Sequence, residues 1–112
     1  MLNLTNDSRT QHGRHPLKFD RRVSHYAQHH SGWMSRHGLI HTRDVASKLR
    51  GVHWHTWGEN IGESPTTLEA LQRAFMDSPP HRHNLLNRAF DHVAIGVVHV
   101  RGVYWVTVIF YG

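Results

Sequence analysis

An α+β fold, a three-layer α-β-α sandwich around a central antiparallel sheet, is predicted by three observations. Helix start and stop signals recur from Leu2 to Asn87. The hydrophobic period then changes to that of two strands joined by a two-residue turn, and both strands are apolar on both faces. A sheet buried on both faces needs helices on each side, which gives the three layers.

Leu2 to about His12 reads as a first helix, closed by Gly13 and followed by Pro16 in the connection. Asp20 is suited to cap a second helix that runs to about His37, where Gly38 supplies the stop. On this helix Val23, Tyr26, Ala27, His30 and Met34 share one face at three- and four-residue spacing. Arg21 and Arg22 oppose the dipole in its first turn, a small penalty that packing has to outweigh. A short helix is expected from Arg43 to Leu49. Gly51 then opens V-H-W-H-T-W, whose alternation fits a strand leading into G-E-N-I.

Thr66 and Glu69 form a T-x-x-E capping box ahead of Leu68, Leu71 and Phe75, on one face of a helix ending near Asp77. Ser78 is suited to cap the next helix, with Pro79 and Pro80 in the first turn, where a backbone N–H is dispensable. Leu85 and Leu86 join the core before Asn87 breaks the pattern. Val93 to Val100 and Val103 to Tyr111 make a hairpin around Arg101 and Gly102.

A chain of 112 residues makes one domain, spanning 1–112, and buries a core without metal or disulfide staples. Lys plus Arg outnumber Asp plus Glu by 13 to 8, and 13 histidines add positive charge on mild acidification. The basic residues are scattered along the sequence, so nucleic acid is not an expected partner. Cysteine is absent, which excludes disulfides and thiol chemistry. The start, M-L-N-L-T-N-D-S-R, lacks the basic-then-apolar pattern of a signal peptide. The longest apolar run, Val103 to Tyr111, is too short and too β-rich for a transmembrane helix. A soluble monomer is expected.

The stretch S-P-P-H-R-H-N puts His81 in the first turn of a helix, where the positive end of the dipole favours a neutral ring. A neutral imidazole can ligate a metal or accept a proton. His41, beyond the stop of the second helix, and Glu59 in G-E-N-I complete a set of two imidazoles and one carboxylate. Such sets recur at metal sites, where the carboxylate either ligates, orients a ligating histidine or accepts a proton. The plain alternatives are a loop histidine, a glutamate bonded to a turn backbone and a helix-start histidine. Gly58 and Asn60 read as structural, Gly58 for close approach or positive φ and Asn60 for a turn. His25 and His29 stand four apart on the second helix, but Y-A-Q between them lacks the glutamate of H-E-x-x-H. Ser78 and His81 do not make a serine hydrolase, since neither a G-x-S-x-G elbow nor an orienting third residue accompanies them.

Taken in order, L-T-N-D-S-R, H-P-L-K-F-D, Y-A-Q-H-H-S-G-W-M, G-L-I-H-T, G-E-N-I-G, F-M-D-S-P-P-H-R-H-N-L-L and V-A-I-G-V to V-Y-W-V-T-V-I-F span nearly the whole chain. This ordered set resembles the CAP superfamily of cysteine-rich secretory, antigen 5 and pathogenesis-related 1 proteins, in its bacterial, disulfide-free form. The resemblance implies the same α-β-α sandwich and a central cleft lined by two histidines and two acidic residues. By motif position these are His41, Glu59 and His81, with the fourth position falling to Asp77 or Ser78. It implies a secreted-type binding module, extracellular or in the cell envelope, whose cleft holds Zn²⁺ or another divalent metal and whose ligand is a lipid or envelope component. The alternative is a metal-dependent hydrolase with Glu59 as proton acceptor. Phe75, Pro80 and Ala94 depart from common family residues without touching the proposed ligands.

Overall fold

The computed structural model of residues 1–112 contains, in chain order, α1 (Leu2–Gln11), β1 (Lys18–Phe19), α2 (Arg21–His37), α3 (Val45–Lys48), β2 (Trp57–Ser64), α4 (Leu68–Asp77), α5 (Pro79–Leu86), β3 (His92–Val100) and β4 (Val103–Tyr111). The strands form one sheet in the order β1-β3-β4-β2. Its pairings are antiparallel, apart from a two-residue parallel contact of β1 with β3. Arg101 and Gly102 turn the β3–β4 hairpin with positive φ at both positions, the geometry whose twist matches the flanking strands.

The layers follow from the alternation of β4. Val106, Val108 and Phe110 face Leu71 and Phe75 of α4, Leu85 of α5 and Leu17. Ile109 and Tyr111 face the other way, onto Val23 and Ala27 of α2 and onto Val45 and Leu49 around α3. The expected α-β-α sandwich is therefore present. It closes tightly at Gly96, where a Cβ would stand 2.2 Å from the backbone of Ala27 and Gln28.

Helix α2 also finishes the sheet chemically. Because β1 pairs with only His92 and Val93, the outer edge of β3 beyond them needs other partners. Ser24 Oγ accepts from the Ile95 N–H at 3.0 Å, and the Gln28 amide exchanges two bonds with the Val97 backbone at 2.8 and 2.9 Å. At its start Asp20 caps α2 as expected, accepting from the Val23 N–H at 2.9 Å, while its other oxygen accepts from the Tyr111 hydroxyl at 2.6 Å.

The structure corrects four local expectations. The face of α2 turned to the sheet is Val23, Ser24, Ala27, Ser31 and Met34, leaving Tyr26 exposed and His30 only partly covered. The near approach at Gly96 favours small residues there. No strand forms over Val52 to Thr56, since β4 ends at Tyr111 and offers no further ladder. Instead the N–H groups of His55 and Thr56 donate to Gly112 O at 2.7 and 2.9 Å. Thr67 rather than Thr66 caps α4, accepting from the Ala70 N–H at 3.0 Å, while the Thr66 N–H is drawn to Ser64 Oγ. Ser78 sits at the N-cap of α5 but makes no side-chain cap bond: Pro80 has no N–H to offer at the second helical position, and the hydroxyl lies 2.7 Å from His81 Nδ1 instead.

A buried arginine fixes α5 from below. Arg9, 1% exposed, donates to His15 O, Leu85 O and Asn87 O at 2.7, 2.9 and 3.0 Å. Burial, and then the neighbouring Arg14 charge, lower its pKa, while the carbonyls at the end of α5 face a cation there. No helix is long and apolar enough to cross a membrane.

Candidate functional site

The edge strand β2 carries the site. Its register against β4 puts Gly58, Asn60 and Gly62 on the α4–α5 side and Glu59 on the α2–α3 side. Of the two reasons for Gly58, close approach and not positive φ is the one realised: a Cβ would stand 2.7 Å from Asn84 Oδ1. Asn60 is not a turn residue. It lies buried in the strand, donates to His81 O at 3.0 Å and accepts from Asn84 Nδ2 at 2.9 Å. Asn84 also reaches Glu59 O at 3.3 Å, so the two amides tie α5 to β2 at the level of His81.

On the other side of β2, the Glu59 carboxylate is buried while the His41 ring is open, with side-chain exposures of 1% and 64%. Glu59 Oε1 accepts from His41 Nδ1 at 2.8 Å and from the Thr42 N–H at 2.9 Å. Its Oε2 accepts from the Thr42 hydroxyl. Both carboxylate oxygens are thus engaged, and the imidazole they hold turns Nε2 outward.

His81 is held in the same manner by a different group. Its Nδ1 lies 2.7 Å from Ser78 Oγ, and its ring stands 5.1 Å from that of Phe75, which therefore packs against a proposed ligand, contrary to the expectation that it leaves the ligands untouched. Burial lowers its pKa most, followed by the charge of His41, which is near enough to be felt. A neutral His81 was expected from the helix dipole; burial and the second histidine supply it instead. Of the two fourth-position residues, Ser78 touches His81, whereas Asp77 is exposed and lines a different groove with Met76 and Arg82. No group of three or more His, Cys, Asp or Glu side chains is arranged as a metal cage. His41 and His81 are held from opposite layers on either side of the edge strand β2, near enough for the charge of one to lower the pKa of the other.

A groove of about 690 Å³ opens beside His41, between α2 and the segment ahead of α3. Tyr26, Trp33 and Ile40 supply apolar surface, Arg43 and Lys48 supply charge, and no carboxylate lines it. Lys48 Nζ lies 5.4 Å from the Tyr26 ring centre. His25 and His29 also line this groove. Sequence reasoning missed Thr42, whose only signal is a hydroxyl adjacent to His41; Asn84, in the same stretch as His81, is the scaffold residue that its bonds to Asn60 and to Glu59 O make it.

The model of the cysteine-rich secretory protein family, CAP, matches residues 2–110. The uncharacterized protein YkwD of Bacillus subtilis is 31% identical over 105 residues, 88% of this chain and 41% of the relative. An extracellular protein containing an SCP domain from Bacillus anthracis superposes with a TM-score of 0.81 at 27% identity, covering 98% of this chain and 38% of that one. A cysteine-rich secretory protein from Staphylococcus aureus gives 0.77 at 26% identity, covering 98% and 36%. The chain thus spans well under half the length of each of these three relatives.

Proposed function

The chain belongs to the cysteine-rich secretory protein (CAP) family, and on that footing we propose that it is an extracellular or cell-envelope binding module whose His41–His81 cleft takes a divalent metal. The observation that carries this reading is that each imidazole is held through Nδ1, by Glu59 and by Ser78. Holding Nδ1 orients the ring and, in the tautomer with hydrogen on Nδ1, leaves the Nε2 lone pair free. Two such nitrogens suit Zn²⁺. His41 and His81 would then be the ligands, with Glu59 and Ser78 behind them as orienting groups. When bound, a divalent ion supplies a Lewis acid that polarises an oxygen of the ligand.

The neighbouring groove supports an amphiphilic ligand, a lipid or envelope component. Tyr26, Trp33 and Ile40 offer apolar contact, and Arg43 and Lys48 favour an anionic head. The extracellular and secretory descriptions of the relatives support the location. The binding reading is preferred to a hydrolase because both Glu59 oxygens already have partners, so no free carboxylate base stands in the cleft.

The test is a zinc titration of metal-free protein alongside His41→Ala and His81→Ala. Each substitution is expected to weaken binding by tenfold or more, on the order seen even for loss of an orienting partner. Unchanged affinity in both variants removes the metal cleft. Turnover of an ester, peptide or glycan panel that depends on Glu59 in a folded protein would restore the hydrolase.

A further inference from the structure

We propose that His53 and His55 form a separate two-imidazole chelate for a borderline divalent cation such as Zn²⁺ or Cu²⁺. Their Nε2 atoms lie 3.2 Å apart, with ring centres at 5.0 Å and planes inclined at 63°. With Zn–N bonds of about 2.0–2.1 Å, that separation subtends an N–Zn–N angle of roughly 100°, close to tetrahedral. The separation therefore suits one ion bonded to both nitrogens, the exposed rings turning to aim both lone pairs at it.

The backbone explains why the rings converge. From Val52 to Thr56 burial alternates, with Val52, Trp54 and Thr56 half-covered and His53 and His55 exposed. Val52 and Trp54 pack against the core beside α2 and α3, which turns both histidines to solvent. The His55 and Thr56 N–H groups are fastened to Gly112 O, and the Gly112 N–H donates back to Thr56 O at 3.0 Å. The H-x-H spacing is thus anchored at one end to the close of β4 and at the other to the core. Little ordering remains to be done on binding, which favours chelation.

The proton balance is simple. In the metal-free pair one neutral Nε2–H donates to the other Nε2. Binding requires both Nε2 lone pairs, so the donor ring moves its hydrogen to Nδ1; both rings are exposed, and water can carry that exchange. The protein supplies two ligands and water supplies the rest, giving an open, exchangeable site. Imidazole donors select Zn²⁺, Cu²⁺ or Ni²⁺ over Mg²⁺ or Ca²⁺.

The experiment uses the full chain bearing His41→Ala and His81→Ala, so that the β2 cleft cannot contribute. Zn²⁺ is titrated calorimetrically while the imidazole ¹⁵N resonances are followed. One equivalent should bind, with coordination shifts at Nε2 of His53 and His55. Adding either His53→Ala or His55→Ala should weaken binding at least tenfold. The proposal is overturned by no binding up to about 1 mM, by shifts centred on His25 and His29, or by affinity indifferent to both substitutions. If the background variant does not fold, the wild-type chain carries the same test: its ¹⁵N spectra must show His53 and His55 coordinating, and His53→Ala must abolish that set of shifts.

Discussion

Ser78 Oγ lies 2.7 Å from His81 Nδ1. The serine makes no cap bond to α5 and its hydroxyl serves the ring instead, so the helix start that looked like punctuation becomes a support for the imidazole. Across β2, Glu59 does the same for His41. If Ser78 orients a ligand, Ser78→Ala should weaken Zn²⁺ binding by about 10- to 100-fold. Thermal stability should change little, as the hydroxyl serves no backbone group. Calorimetric titration against the wild-type chain measures the first, and a melting curve the second. A large loss of stability at unchanged zinc affinity would make the contact purely architectural.

His81 should titrate below an ordinary histidine, because burial and the His41 charge both disfavour its imidazolium. The sign for stability follows from linkage. With the folded pKa below the unfolded value of about 6.5, the unfolded chain takes up the proton first as pH falls. The contribution of His81 is therefore complete above about pH 6.5 and declines as pH drops toward the folded pKa. An NMR titration of the ring protons should give a midpoint below 6.5. His81→Ala should flatten the corresponding part of the stability–pH curve.

Asp20 and Tyr111 set opposite ends of the pH range. Burial pushes the Asp20 carboxyl up, but hydrogen bonds from Tyr111 and the Val23 N–H, with the Arg22 charge, outweigh it and leave its pKa lowered. Burial and the bond to Asp20 raise that of Tyr111. Asp20 thus adds stability above its unfolded pKa of about 3.9, and this fades as pH falls through the folded value. Tyr111 adds stability below about pH 10, which is lost as pH rises above it. Tyr111→Phe should cost about 1–3 kcal/mol at neutral pH, remove the alkaline loss and shallow the acid one. Urea melts across pH read all three.

The layers were legible because period and punctuation agree: Val103 to Tyr111 is apolar on both faces apart from Thr107, and Gly38 and Asp20 bracket α2. Tyr26 was misassigned because helical spacing shows which residues share a stripe but not how wide a stripe the sheet accepts. The width is set by Gly96, seventy residues away in sequence. Period-two alternation from Val52 to Thr56 described real alternating burial, yet a strand also needs a partner, and beyond the Trp57–Tyr111 pair only Gly112 bonds to this segment. His41, Glu59 and His81 stood out by motif. Ser78 stood among the fourth-position candidates by motif, but its hold on His81, like that of Thr42 on Glu59, is a side-chain contact that leaves no periodic trace.

Arg9 is the furthest from legible, since an arginine in a polar helix reads as surface, yet it is 1% exposed and bonded to carbonyls from the α1–β1 connection and the end of α5. Arg9→Met keeps much of the volume but leaves those buried acceptors without donors, at about 1–3 kcal/mol each where water cannot replace them. A total loss of about 3 kcal/mol or more is expected, read from chemical denaturation. Arg9→Lys should recover only part of it, because an ammonium lacks the planar fork that reaches His15 O and Leu85 O together. Since α5 also carries His81, a folded Arg9→Lys protein should bind Zn²⁺ more weakly even though residue 9 touches neither imidazole. Undiminished affinity would mean that the clamps of Asn60 and Asn84 hold the start of α5 independently of its end.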